Sequence, residues 1–135
     1  MSIEIDHLGI AVRSLEEGLL FYEQLLGMPV TRREVVEAEH VHVAMLLAGT
    51  QGTAPRIELL EATKADSTIA RFIEKRGPGL HHVALRVDDL PSVLSRLTST
   101  GARLMNEPRT GAGGHTYVFV HPSSAGGVLL ELIQK

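Results

Sequence analysis

Residues 80–90, LHHVALRVDDL, restate residues 5–15, IDHLGIAVRSL, at one constant offset, so that His7 matches His82, Val12 matches Val87 and Leu15 matches Leu90. Further along, Gly27 matches Gly101 one residue shorter, and IELLE (57–61) matches LELIQ (130–134), which pairs Glu58 with Glu131. A missed repeat misassigns a whole fold, so this one sets the frame for everything else. Each half carries one histidine on its first strand-like run and one glutamate on its last. A pseudo-twofold arrangement of the halves brings those four side chains toward one axis.

The local signals support two similar modules. Residues 3–12 (IEIDHLGIAV) read as a strand, and Ser14 with Glu17 forms the S-x-x-E box that opens a helix. Leu15, Leu19, Tyr22 and Leu26 then mark one apolar helical face, closed by Gly27. Strands are expected over about 29–36, 41–48 and 56–61, with Gly49, Gly52 and Pro55 breaking the chain between the last two. Asp66 or Ser67 caps a short helix running to about Lys75. The second copy starts with a strand at 80–87; Asp88 and Asp89 can cap its helix, Pro91 falls in the first turn, and Gly101 ends it. Strands near 102–105, 116–121 and 127–133 complete it. These readings predict an α+β chain of two β-α-β-β-β modules.

Strand parity separates two kinds of surface, because residues two apart share a face. His7 shares its face with Gly9 and Ala11, and His82 with Ala84, while the opposite faces carry Leu8, Ile10 and Val12, and Val83, Leu85 and Val87. The bulky faces suit packing against helices. The histidines look across small residues into open space, as a cavity with a metal at its base requires. A lone strand histidine is usually an ordinary structural residue, and a buried glutamate without a partner is unfavourable. Two histidines and two glutamates in repeat register point instead to a shared cation, bound by His7, Glu58, His82 and Glu131. His81, of opposite parity, reads as structural.

Composition narrows the chemistry. A chain of 135 residues falls within the usual size of one domain, and its 44% apolar and 21% charged residues are ordinary globular usage. The net charge of −3 offers no basic field to attract nucleic acid or an anionic membrane. With no cysteine there is neither a disulfide frame nor a thiolate metal site, so any ligands are nitrogen and oxygen. No basic start followed by an apolar run opens the chain, and no stretch is long enough to span a bilayer, so a cytoplasmic location is expected. Gly111, Gly113 and Gly114 lie between strands and make no dinucleotide fingerprint.

Five segments in order, DHLGIAV, DSTIARFI, GLHHVALRVDD, EPRTGAGG and FVHPSSAGGVLLEL, resemble the vicinal oxygen chelate superfamily and, within it, the methylmalonyl-CoA epimerases, across essentially the full chain. The resemblance implies a single domain over residues 1–135: repeat one about 1–62, a connecting helix about 66–76 and repeat two about 79–135, the paired modules forming a curved, cup-shaped mixed sheet. It implies one divalent ion, such as cobalt, manganese, nickel or zinc, a CoA thioester substrate, a homodimer, and interconversion of the two epimers of methylmalonyl-CoA. His7, His82 and Glu131 match the family's ligand positions, and Glu58 stands where members carry glutamine or glutamate. The resemblance also places Glu131 beside the substrate carbon as an acid/base group. One departure stands out. Where bacterial members carry a glutamate proposed as the other acid/base group, alignment on Ala44, Met45 and Leu46 puts Val43. His42 points to the other face of a regular strand; a histidine at 40 or 42, or a metal-bound water, is left as the second partner.

The ligand set suits manganese, cobalt, iron, nickel or zinc and leaves two octahedral positions for a bidentate substrate. A glyoxalase-like isomerase on the same frame is the nearest competitor, since it too moves a proton next to a carbonyl. A dioxygenase needs only three ligands, against which Glu58 counts, and a metal-free binding module needs none of the four. His115 and His121 are candidates for touching substrate or phosphate, and Arg32, Arg33, Lys64, Arg71, Lys75 and Arg76 for meeting CoA phosphates, although loop, packing and surface roles explain them as well.

Overall fold

The computed structural model describes residues 2–50, 52 and 54–135. Its strands are β1 (Ile3–Ala11), β2 (Val30–Val36), β3 (Val41–Leu47), β4 (Arg56–Ala62), β5 (Gly79–Val87), β6 (Arg109–Thr110), β7 (Thr116–Val120) and β8 (Leu130–Gln134). Its α-helices are α1 (Leu15–Leu19), α2 (Thr68–Arg76) and α3 (Leu90–Ser99). The chain divides into two compact units, His7–His81 and Met1–Asp6 with His82–Lys135. The connecting helix expected at 66–76 is α2, and it belongs to the first of these.

In the unit His7–His81 the strands run β2-β3-β4-β1, with β1 parallel to β4 and the other pairs antiparallel. Alternation along these strands makes two different faces. Ala44, Leu46 and Leu59, flanked by Ile10, Val12 and Ile57, pack against Leu15 and Leu19 of α1. On the other face Ala11, Val41, Val43, Met45 and Leu60 pack against Ile69, Phe72 and Ile73 of α2. The Ser14 hydroxyl accepts the Glu17 amide at the start of α1, and the Ser67 hydroxyl accepts the Ala70 amide at the start of α2. Gly18 lies so close to the sheet that a Cβ there would come within 2.9 Å of Leu59 Cδ1. Leu59 is fully buried where α1 meets β4. Replacing it with alanine is expected to destabilise the protein by about 3 kcal/mol, read as a shift in the urea midpoint, because the close approach of α1 leaves little room for collapse into the cavity.

One helical expectation changes. After Leu19 the helix widens into a π-helical stretch, Leu20–Leu25, in which the Leu26 amide reaches the Phe21 carbonyl five residues back. The wider turn advances fewer degrees per residue, so the apolar row expected through Leu26 drifts off the core. Leu26 is 57% exposed while Leu15 and Leu19 are buried. Gly27 still closes the segment, at a φ of 79°.

In the unit containing His82–Lys135 the strands run β5-β8-β7-β6, again with one parallel pair, β5 with β8. Val87, Val118, Val120 and Leu132 pack against Leu90 and Val93 of α3. Asp89 caps α3 through the Ser92 amide, and Gln134 accepts the amide of Leu90. The strand expected at 102–105 contracts to a single bridge between Leu104 and Val120, and Arg109–Thr110 forms a strand that local pattern does not announce. Residues 2–6 are held in this unit by ion pairs: Arg86 to Glu4 at 2.6 Å and to Asp6 at 3.5 Å, and Lys135 to Asp6 at 2.8 Å.

The amide and hydroxyl of Ser2 both donate to Asp88, and these bonds hold the Asp88 carboxyl below its ordinary value. A depressed carboxyl contributes stability above its unfolded value of about 3.9 and loses it as pH falls through the lower folded value. The Ser2–Asp88 attachment is therefore expected to persist at neutral pH and to release only in acid. Exchange broadening of the Ser2 amide that sets in well above pH 5 would contradict this.

Candidate metal centre

Each unit builds one histidine–glutamate pair. In the first, β1 and β4 run parallel with Gly9 level with Glu58, and His7 lies two residues before Gly9 on the same face. His7 Nε2 is 3.4 Å from Glu58 Oε1, and both residues are buried. In the second, β5 and β8 run parallel with Ala84 level with Glu131, and His82 lies two residues before Ala84. His82 Nε2 is 3.3 Å from Glu131 Oε1, and both are again buried. Gly9 and Ala84, level with the two carboxylates, carry little or no side chain. The same local construction, a histidine and a small residue beside a glutamate on a parallel strand, thus occurs in each repeat.

The donor set fits a divalent ion. The pair distances exceed the roughly 2.7–2.9 Å of a good charge-assisted hydrogen bond. They match two ligand atoms each about 2.1 Å from one ion, which sit about 3.0–3.4 Å apart in octahedral or tetrahedral shells. His7, Glu58 and His82 are buried groups of a type that can hold a metal ion. All are nitrogen or oxygen donors, as a chain without cysteine requires.

The surroundings are apolar. Met45 lies opposite Glu58 across the β3–β4 pair, and Val43 opposite Leu60. Val43 is 1% exposed and packed with Ala11, Val41, Met45, Leu60 and Ile69. It shares the face of Glu58 but carries nothing that ionises. His42 has the opposite parity and pairs with Glu61, whose carboxylate accepts the Leu15 amide at the start of α1. His42 therefore belongs to the α1 side.

Phe119 is the neighbour that sequence reasoning missed. It lies opposite Glu131 across the β7–β8 pair, and its ring meets the His82 imidazole edge-on, centroids 5.6 Å apart and planes at 89°. The available signal was the repeat itself, since the equivalent position facing Glu58 is Met45.

His81 and His121 have local roles. His81 stacks edge-on against Phe72 of α2 at 5.0 Å. His121 accepts the Ser123 amide through Nδ1, capping a turn at Pro122–Ser124. His115 lines a cleft of about 500 Å³ with Leu90, Pro91 and Leu94 of α3. Among the cationic candidates, Arg32 pairs with Glu34 at 2.9 Å, Arg76 lies over the Phe72 ring, and Arg71 donates to the carbonyl of Asp66.

A model of the Glyoxalase/Bleomycin resistance protein/Dioxygenase superfamily matches residues 6–119. The mitochondrial methylmalonyl-CoA epimerase of Homo sapiens is 34% identical over 96% of this chain and 73% of its own length. The chain belongs to the methylmalonyl-CoA epimerase family. Within that family, the ethylmalonyl-CoA/methylmalonyl-CoA epimerase of Cereibacter sphaeroides is 35% identical and is covered over 96% of both chains. A Streptomyces coelicolor methylmalonyl-CoA epimerase, solved with 2-nitronate-propionyl-CoA, superposes with a TM-score of 0.89 at 36% identity, covering 98% of this chain and 94% of its own. The fold is accordingly the α+β vicinal oxygen chelate fold. Among the described residues no helix is long and apolar enough to cross a membrane.

Proposed function

We propose that the chain interconverts the (2R) and (2S) epimers of methylmalonyl-CoA by exchanging the α-proton, at one divalent ion held by His7, Glu58, His82 and Glu131. The observation that carries this reading is the matched pair of buried His–Glu contacts, one per repeat, in a chain that aligns with methylmalonyl-CoA epimerases over 96% of its length. A homodimer belongs to the same proposal.

The proton to be removed sits between a thioester and a carboxylate, so its loss places new negative charge beside an existing one. A divalent ion, when bound, supplies Lewis-acid stabilisation of that charge on substrate oxygens. The two imidazoles serve as neutral nitrogen ligands and the two carboxylates offset the cation's charge. Glu131 takes the α-proton on its carboxylate and returns one to the same face.

Inversion requires proton exchange on the other face as well. Val43 has no proton to give, and His42 belongs to the α1 side, so neither is that partner. The proposal is tested by assaying the metal-loaded protein with methylmalonyl-CoA and with a hemithioacetal side by side. Epimerisation of the first alone is expected; turnover of the hemithioacetal alone would make the chain a glyoxalase-like isomerase.

A further inference from the structure

We propose that Phe119 is a positioning residue for His82, setting the angle at which Nε2 is presented to a metal ion; this rests on the metal reading given above. The ring stands at 89° to the imidazole, with centroids 5.6 Å apart. Rotation of the imidazole about its Cβ–Cγ bond would replace this favourable edge-to-face contact with a clash or a gap.

Phe119 is itself held from several sides. Its ring meets Tyr117 at 5.7 Å and 79°, and a Cβ at Gly111 would come within 2.7 Å of the Tyr117 ring, so the loop closes tightly behind it. Its backbone is tied at both polar atoms: the amide donates to Asn106 Oδ1 at 2.9 Å and the carbonyl accepts the Met105 amide at 2.8 Å. A ring anchored in this way presents a fixed edge-to-face surface to the imidazole beside it. The bracket breaks the symmetry of the repeat. The corresponding position facing Glu58 is Met45, whose flexible thioether adapts its shape.

The test measures Co2+ affinity by titration of the metal-free protein, together with the visible absorption of the bound cobalt, which reports ligand geometry. Phe119→Leu is expected to weaken cobalt binding about 3- to 10-fold and to change the absorption band. Phe119→Tyr, which keeps the ring, is expected to bind as the parent does. Val118→Ala is the structural control: Val118 is fully buried on the α3 face of the same strand, so its loss lowers the thermal midpoint while cobalt affinity stays within a factor of about two. Parent-like affinity in Phe119→Leu, or an equal loss in Val118→Ala, overturns the proposal. If the parent protein takes up no cobalt, the metal reading falls and this inference with it, whereas parent binding that Phe119→Leu leaves unchanged sinks the positioning role alone.

Discussion

Glu131→Gln is expected to lower exchange of the α-proton of methylmalonyl-CoA with solvent deuterium between about a hundredfold and ten-thousandfold, the range lost with a positioned acid/base. Glutamine keeps the size of the side chain, and the backbone pairing with Ala84 and Phe119 does not depend on it. What is lost is a carboxylate that can take a proton and the strongest part of its attraction to a cation. The two effects separate experimentally. A variant that still binds cobalt and no longer exchanges has lost the acid/base; one that exchanges normally removes Glu131 from that role.

His82→Ala carries the second large effect, on metal binding and stability together. The Glu131 carboxylate is buried 3.3 Å from the imidazole, so the substitution leaves a buried acid without this partner. Taking one partner away from a buried polar group destabilises by about 1–3 kcal/mol. A bound ion is also expected to raise stability. A metal held at a hundred times its dissociation constant stabilises the folded state by about 2.7 kcal/mol. The parent's thermal midpoint is therefore expected to rise with added cobalt and fall with chelator, while that of His82→Ala responds to neither. A variant whose midpoint rises with cobalt as the parent's does would remove His82 from the ligand set.

Much of the fold was readable because the repeat and strand parity are local properties of the chain. Matching 5–15 to 80–90 and 57–61 to 130–134 makes His7 equivalent to His82 and Glu58 equivalent to Glu131; that each histidine meets the glutamate of its own repeat is seen only in the structure. The cap at Ser14 was visible in the sequence, while those left between Asp66 and Ser67 and between Asp88 and Asp89 fall to Ser67 and Asp89, each bonding an amide three residues on. Features decided by distant partners were not. Arg109–Thr110 is a strand because Thr116 and Tyr117 pair with it, and the π-helical stretch after Leu19 changes a turn that apolar spacing alone reads as α-helical. Phe119 required knowing that β7 lies beside β8, and its role depends on an angle between two rings that no spacing rule encodes.

Val43 carries nothing that ionises, and its side chain is part of the core beneath α2. In the proposed reaction the proton partner opposite Glu131 therefore comes from another group.

In the proposed reaction, proton exchange depends on a metal ion bound by these four residues. The most direct measurement is deuterium incorporation at the α-carbon of methylmalonyl-CoA, followed by mass spectrometry, first with chelator-stripped protein and then as cobalt is restored. Negligible incorporation by the stripped protein and full recovery at one ion per chain are expected. Undiminished incorporation by the stripped protein would contradict this dependence.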